Sequence, residues 1–330
     1  MDKKFKKKIL IVDDTPENID VLKEVLITDY SVKAALNGQV ALKIANKDNP
    51  DLILLDVMMP GMDGFEVCEK LKSDPQTAHI PIIFVTAKTE EVDENKGFDV
   101  GAVDYIRKPI TPSVVLRRVE THLSLVQAEQ LKELAKAAIR MLGEAGHYND
   151  TDTGHHIWRM AEYAKALAMA AGASREYAEI VELAAPMHDT GKIGIPDSVL
   201  KAPRKLTGDE WELMKEHARI GSDILSHSTN PVFKIAAEIA MSHHEKWDGS
   251  GYPSGLKGDD IPWTARVVAI ADVFDALTMR RPYKEPWPVE EAMAEIRKSA
   301  GNHFDPELVA TFCKIQDEIC DIKDGWDKKD

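Results

Sequence analysis

The segment "DLILLDVMMP", residues 51–60, runs four consecutive large apolar residues, Leu52 to Leu55, into Asp56. A strand with one wet face would alternate polar and apolar positions, so an unbroken run predicts a strand covered on both sides. Four more segments read as buried strands: "KILIVDD" at 8–14, "SVKAAL" at 31–36, "PIIFVTA" at 81–87 and "DYIRKP" at 104–109. Between them, "ENIDVLKEVLI" (17–27), "GQVALKIANK" (38–47), "FEVCEKLKS" (65–73) and a stretch ending in "GFDVG" (97–101) carry apolar residues at helical spacing. This alternation over residues 1–122 predicts an α/β doubly wound domain with a five-stranded parallel sheet, its site lying beyond the strand carboxyl ends. The polar residues fall there: Asp13 and Asp14, Asp56, Thr86 and Lys108. Three carboxylates at one sheet edge repel each other unless a cation sits among them, and oxygen-only ligands point to Mg2+.

A chain of 330 residues suits two domains. Its 44% hydrophobic and 30% charged residues describe a globular protein, and no apolar run approaches the ~20 residues of a membrane span. The basic start, "MDKKFKKK", leads straight into a strand, so a cytoplasmic protein is expected, without a membrane partner. Cys68, Cys313 and Cys320 form no C-x-x-C pair, which suits a reducing compartment and argues against a cysteine-based zinc site. A net charge of −14 disfavours a nucleic-acid polymer as partner.

From Ser113 to Met141 the chain reads as nearly continuous helix, a connecting helix placed at 113–145. Leu116, Val119, Leu123 and Val126, then Leu131, Leu134, Ala138 and Met141, recur at three- and four-residue spacing with one step of five. Either this is a heptad seam for a homodimer, or it is two helices in succession, each packing locally.

Residues 146–330 read as an all-α domain, with "IWRMAEYAKALAMAAG", "REYAEIVELAAPMH", "GDEWELMKEHARIGSDIL", "FKIAAEIAMSHHE" and "TARVVAIADVFDALTM" as its amphipathic runs. His156, His188, Asp189, His217, His243, His244 and Asp272 all fall on or at the ends of these runs. An aspartate inside the apolar run "VVAIADVFDAL" costs several kcal/mol unless something positive compensates it, and Asp272 is read as that buried acid. Five imidazoles and two carboxylates suffice for two metal ions, with Asp189 bridging. Mixed nitrogen and oxygen donors suit iron or manganese first, then nickel or zinc. Two such ions lower the pKa of a shared water and clamp a phosphoryl group, while Lys192 neutralises a phosphate oxygen. His79, His122, His147, His227 and His303 read as structural.

The first half resembles the response-regulator receiver domain. That likeness implies phosphorylation of Asp56 by a sensor histidine kinase, Mg2+ held by Asp13, Asp14 and Asp56, and a switch made of Thr86, Tyr105 and Lys108, with Lys108–Pro109 cis. From about Thr153 to Phe312 the chain resembles the HD-GYP family of the HD phosphohydrolases. The likeness rests on "HDTGKIGIP" (188–196), "LMKEH" (213–217), "HHEKWDGSGYP" (243–253), "IPWTARVVAIADVFDALT" (261–278), "RRPYK" (280–284) and "HFDPEL" (303–308). It implies hydrolysis of cyclic di-GMP to linear pGpG, and onward to GMP in some members. The seven residues above become the metal ligands, Lys192 and Asp189 act at the scissile phosphate, and Arg281 and Lys284 bind substrate phosphate. Trp247 or Tyr252 would stack on a guanine, and Gly251, Tyr252 and Pro253 shape either the substrate site or a surface for a GGDEF-type signalling partner.

One departure stands out. "DTGHH" places Asp152 where the family often has a glutamate that helps to hold a third ion. Aspartate falls short by about 1.5 Å against a ligand tolerance of ~0.2 Å, so two ions are expected, with Asp152 the candidate ligand of a third. Two rival readings stay open: a non-catalytic receptor for the dinucleotide or a partner, and a phosphodiesterase preferring pGpG or a mixed cyclic dinucleotide.

Overall fold

The computed structural model describes residues 6–86, 97–147, 154–279 and 285–328. The expectations for Asp152, Arg281 and Lys284, and for the start of the helical stretch before "GFDVG", lie outside those residues.

Strands β1 (Lys8–Val12), β2 (Ser31–Ala35), β3 (Leu52–Asp56), β4 (Ile82–Thr86) and β5 (Asp104–Arg107) form one parallel sheet in the order β2-β1-β3-β4-β5. Successive side chains of a strand point to opposite faces, and the unbroken apolar runs therefore fill two cores. Leu10, Val12, Ile53 and Leu55 face helices Gly38–Asp48 and Gly64–Ser73, while Ile9, Ile11, Leu52 and Leu54 face helix Pro16–Leu26 and the start of helix Pro112–His147. Register pairs Val12 with Leu55 and Asp56 with Val85, which aligns the acidic strand ends. Gly64 fits where a side chain could not: a Cβ there would lie 2.3 Å from the Asp56 carbonyl oxygen. The preceding Asp63 caps helix Gly64–Ser73 in a reciprocal box with Glu66, so the loop after Asp56 is pinned at its far end.

Helix Pro112–His147 is continuous over 36 residues. The chain divides into two compact units inside it, at 133/134. Val115 and Val119, with Leu116 and Leu123, belong to the core of the first unit, whereas Ile139 and Leu142 join the core of the second. Leu131, Leu134, Ala138 and Met141 of the proposed seam are exposed.

The second unit is helical. Helix Gly154–Ala170 is its axis and packs against helices Trp263–Thr278, Arg175–Ala184 and Gln316–Asp327. Small residues let these helices approach closely: Ala161, Ala164, Ala168, Ala178, Ala184, Ala236, Ala240 and Ala271 are all buried around Tyr163, Phe274 and Phe312. Tyr163 and Phe312 each meet Phe274 edge-on at 5.3 Å. Among the described residues no helix is long and apolar enough to cross a membrane.

Candidate metal centre

Helix Arg175–Ala184 ends before Pro186, and two 3-10 turns, Ala185–Met187 and Thr190–Gly194, carry His188 and Asp189 between them. The second turn lies against helix Gly208–Leu225 at glycines of both elements. A Cβ on Gly191 would lie 1.9 Å from the His217 carbonyl oxygen and 2.4 Å from Gly221 N. Only glycine allows that approach, and it sets Asp189 beside His217. Helix Pro231–Ser242 presents His243 as its C-cap, with His244 next.

These residues converge. Asp189 Oδ1 is 3.3 Å from His217 Nε2 and 3.7 Å from His243 Nε2. Asp189 Oδ2 is 3.3 Å from His188 Nε2 and 2.8 Å from Lys192 Nζ. On the same side as His188, Asp272 Oδ1 lies 4.0 Å from His188 Nε2 and 3.8 Å from His156 Nε2. One carboxylate therefore faces two imidazoles, His217 and His243, with Oδ1 and a third, His188, with Oδ2. Ligand atoms of Asp189, His217, His243 and His244 lie within 4.8 Å of one another.

The donor set suits divalent cations. Asp189 Oδ1, His217 Nε2 and His243 Nε2 are buried without a hydrogen-bond partner, an arrangement that costs ~1–3 kcal/mol per group unless something else satisfies it. The opposite ring nitrogens are engaged: His188 Nδ1 bonds to the Ala185 carbonyl at 2.8 Å, His217 Nδ1 to Met214 at 2.7 Å and His243 Nδ1 to Ala240 at 3.0 Å. A ring that donates from Nδ1 keeps its lone pair on Nε2, and each Nε2 faces the cluster. Burial holds His217 at about 4 and, with His243 beside it, keeps His244 well below the usual histidine value. Burial would also lower His188, but Asp189 and Asp272 carry it up to about 9. Against its burial, Lys192 and His188 hold Asp189 far below the ordinary carboxylate range.

The loop "HHEKWDGSGYP" folds back on its own start. A Cβ on Gly251 would lie 2.3 Å from Lys246 N. Buried Glu245 clamps the loop by accepting from Ser254 N at 2.7 Å and Leu256 N at 3.1 Å. The Tyr252 ring stacks on His244 at 4.6 Å, and Tyr252–Pro253 is cis. Trp247 sits differently: the Arg266 guanidinium lies over its ring at 5.5 Å and its backbone N–H donates to the His303 carbonyl.

One expectation needs correction. Asp272 is not the buried acid of its helix, for its side chain is 24% exposed toward the cluster. The fully buried acid is Asp275, 0% exposed, one turn further on. Asp272 Oδ1 is turned toward His188 and His156, whereas Asp275 is engaged by His156 and Arg159 of helix Gly154–Ala170. Sequence reasoning passed over Asp275, its partner Arg159 and Glu245. The signal for Asp275 was present, a second acid three residues on in the same apolar run.

In the first unit, Lys108 Nζ lies 2.8 Å from Asp13 Oδ2 and 3.3 Å from Asp56 Oδ2, and Asp13, Asp14 and Asp56 bring ligand oxygens within 4.8 Å of one another. Burial raises the Asp56 carboxyl, with Lys108 opposing and Asp13 adding to the rise. Thr86 ends β4 and is buried. Tyr105 is half-buried, with the Arg107 and Arg118 guanidinium groups 5.6 and 5.7 Å from its ring. Lys108–Pro109 is cis. His122 pairs with Asp104 at 2.9 Å.

A family model described as "HD domain" matches residues 132–308, and one described as "Response regulator receiver domain" matches 9–120. The chain belongs to the response regulators that join a receiver domain to an HD domain, the latter a divalent-metal-dependent hydrolase domain. It is 42% identical to a "Probable cyclic di-GMP phosphodiesterase" of Vibrio cholerae, over 95% of this chain and 79% of that protein. It is 36% identical to a "Cyclic di-GMP phosphodiesterase" of Thermotoga maritima, over 95% of this chain and 92% of that one. A "3'3'-cGAMP-specific phosphodiesterase 2" of Vibrio cholerae is 44% identical, over 58% of this chain and 37% of its own length.

Proposed function

We propose that this protein is a cyclic di-GMP phosphodiesterase that opens the ring to linear pGpG, under control of phosphorylation at Asp56. The observation that carries the reading is Asp189, whose Oδ1 faces His217 and His243 and whose Oδ2 faces His188. His217, His243 and His244 would hold one divalent ion and His156, His188 and Asp272 the other, with Asp189 bridging. Four or more imidazoles with carboxylates favour iron or manganese. Bound there, the ions supply an acidified water and charge stabilisation for the transferring phosphoryl.

The chain's own residues do the rest. Lys192 Nζ, paired to Asp189 Oδ2 at 2.8 Å, is placed to turn to a phosphate oxygen once that carboxylate is otherwise engaged. Arg281 is suited to bidentate contact with a second phosphate and Lys284 to a point charge. Tyr252 stacks on His244 from one side. Its place on the ligand histidine favours a role at the substrate site over one confined to a GGDEF-type partner surface. In the receiver, Asp13, Asp14 and Asp56 would hold Mg2+ while a sensor histidine kinase donates the phosphoryl group. The exposed Leu131, Leu134 and Met141 favour a homodimer through the connecting helix.

The test is turnover by purified protein loaded with Mn2+ or Fe2+, following cyclic di-GMP, pGpG and GMP by chromatography. Binding without turnover at every metal would leave a receptor. The likeness to a cGAMP-specific enzyme favours a second substrate, so initial rates on the mixed cyclic dinucleotide are measured alongside.

A further inference from the structure

His156 and Arg159 lie three residues apart on helix Gly154–Ala170, and Asp272 and Asp275 three apart on helix Trp263–Thr278. Residues at that spacing share a helix face, and the two faces meet. The His156 imidazole is held between two acids of successive turns, with Nδ1 hydrogen-bonded to Asp275 Oδ2 and Nε2 turned toward Asp272 Oδ1 at 3.8 Å. Asp275 is fully buried. Its remaining capacity is taken by Arg159, which donates from Nε to Oδ1 at 2.5 Å and from Nη2 to Oδ2 at 2.9 Å.

His156 differs from the other cluster histidines. His188, His217 and His243 each direct Nδ1 at a backbone carbonyl three or four residues earlier. The Nδ1 of His156 instead meets a side chain from another helix, Asp275.

We infer that Asp275, clamped by Arg159, is the positioning residue that makes His156 a metal ligand: it accepts the Nδ1 proton and so leaves the Nε2 lone pair pointing into the cluster. A carboxylate serves here because it can only accept, whereas an amide can also donate and permit the opposite tautomer. Arg159 is the other half of the device. A bare buried carboxylate would be strongly disfavoured, and the guanidinium fork fixes both of its oxygens in the plane that meets the imidazole. This inference rests on the proposed metal centre, in which His156 is a ligand.

The experiment measures Mn2+ affinity and stoichiometry by equilibrium dialysis of the full-length protein, for the natural chain, Asp275→Asn and His188→Ala. Partners of this kind change metal affinity about 10–100-fold, so Asp275→Asn is expected to bind Mn2+ at least tenfold more weakly while its far-ultraviolet circular dichroism is unchanged. A merely structural Asp275 would lower the melting temperature and leave the affinity of the folded protein alone, which overturns the inference. A second measurement needs no variant at Asp275. In the Cd2+-loaded natural protein, nitrogen-15 spectra of the ring, assigned with His156→Gln, should give cadmium coupling at Nε2 and an exchange-protected proton on Nδ1. Coupling at Nδ1, or no such proton, overturns it. If the natural protein binds Mn2+ no better than His188→Ala, the metal-centre reading fails and takes the inference with it. If His188→Ala loses the metal but Asp275→Asn does not, the inference alone fails.

Discussion

Gly191 and Gly221 meet backbone to backbone, so that a Cβ on Gly221 would lie 3.0 Å from Gly191 N and one on Gly191 only 2.4 Å from Gly221 N. This crossing brings the turn bearing Asp189 up to the helix bearing His217. Gly191→Ala is therefore expected to push the two apart, costing about 1–3 kcal/mol or more. The melting temperature of the metal-free protein should fall by several degrees and the metal content should drop with it. A variant with full metal content and an unchanged melting curve would contradict the packing argument.

Ligand and phosphate roles separate by mutation. His188→Ala is expected to lose metal and activity together. Lys192→Ala should keep the metal and lose about 10²-fold or more in kcat, as when one charge-stabilising donor is removed. Elemental analysis alongside kinetics checks both. Equal metal loss in the two variants would mean that Lys192 holds the centre together instead of contacting substrate.

His188 sets a pH dependence. Without metal its value is carried up to about 9, above the ordinary ~6.5. A raised value stabilises the folded metal-free protein fully below pH ~6.5, and that contribution is lost as pH climbs through about 9. A cation must displace the same proton, so its affinity should rise by up to about tenfold per pH unit across this window. Calorimetric titration of Mn2+ in two buffers of unlike ionisation enthalpy should register about one proton released near pH 7. Buffer-independent heats would refute it.

Asp56→Asn is expected to remove the proposed phosphoryl acceptor and to leave the helical unit untouched. Treated with acetyl phosphate, the natural protein should gain a phosphoryl group by intact mass and the variant should not, while both keep the same metal content. A phosphorylated variant would move the acceptor to another residue.

The exposed stretch of the connecting helix gives a fifth test. Replacing Leu131 and Leu134 by Gln together should leave the melting curve within about ±0.5 kcal/mol of the parent and shift sedimentation from dimer toward monomer. Two species of equal mass would confine the seam to packing within one chain.

The receiver was legible because its signals are local. An apolar run such as Leu52–Leu55 predicts a strand covered on two faces whatever lies far away, and the acids terminating β1 and β3 then follow at one sheet edge. The seven cluster residues were legible through adjacent pairs such as His243-His244, which a merely packed helix does not need. The arginine that lies over Trp247 was not legible, because a lone tryptophan does not show that a residue 19 positions later will meet its ring. The burial of Asp275 in place of Asp272 was not legible for a related reason. Both interrupt the same apolar run, and burial depends on which turn meets the neighbouring helix.

Chain chemistry by itself determined two folding units, the strand alternation of the first, the helices of the second, and which side chains could ligate. Those follow from spacing of a few residues, where geometry is set by helix and strand periods. Only the tertiary structure decided that Asp189 turns one oxygen to His217 and His243 and the other to His188, and that Asp275 meets both His156 and Arg159. Asp275 lies more than a hundred residues from His156 and Arg159 in the chain, and Asp189 lies on a different element from His217 and His243. No local period carries information about which turns of distant helices will touch.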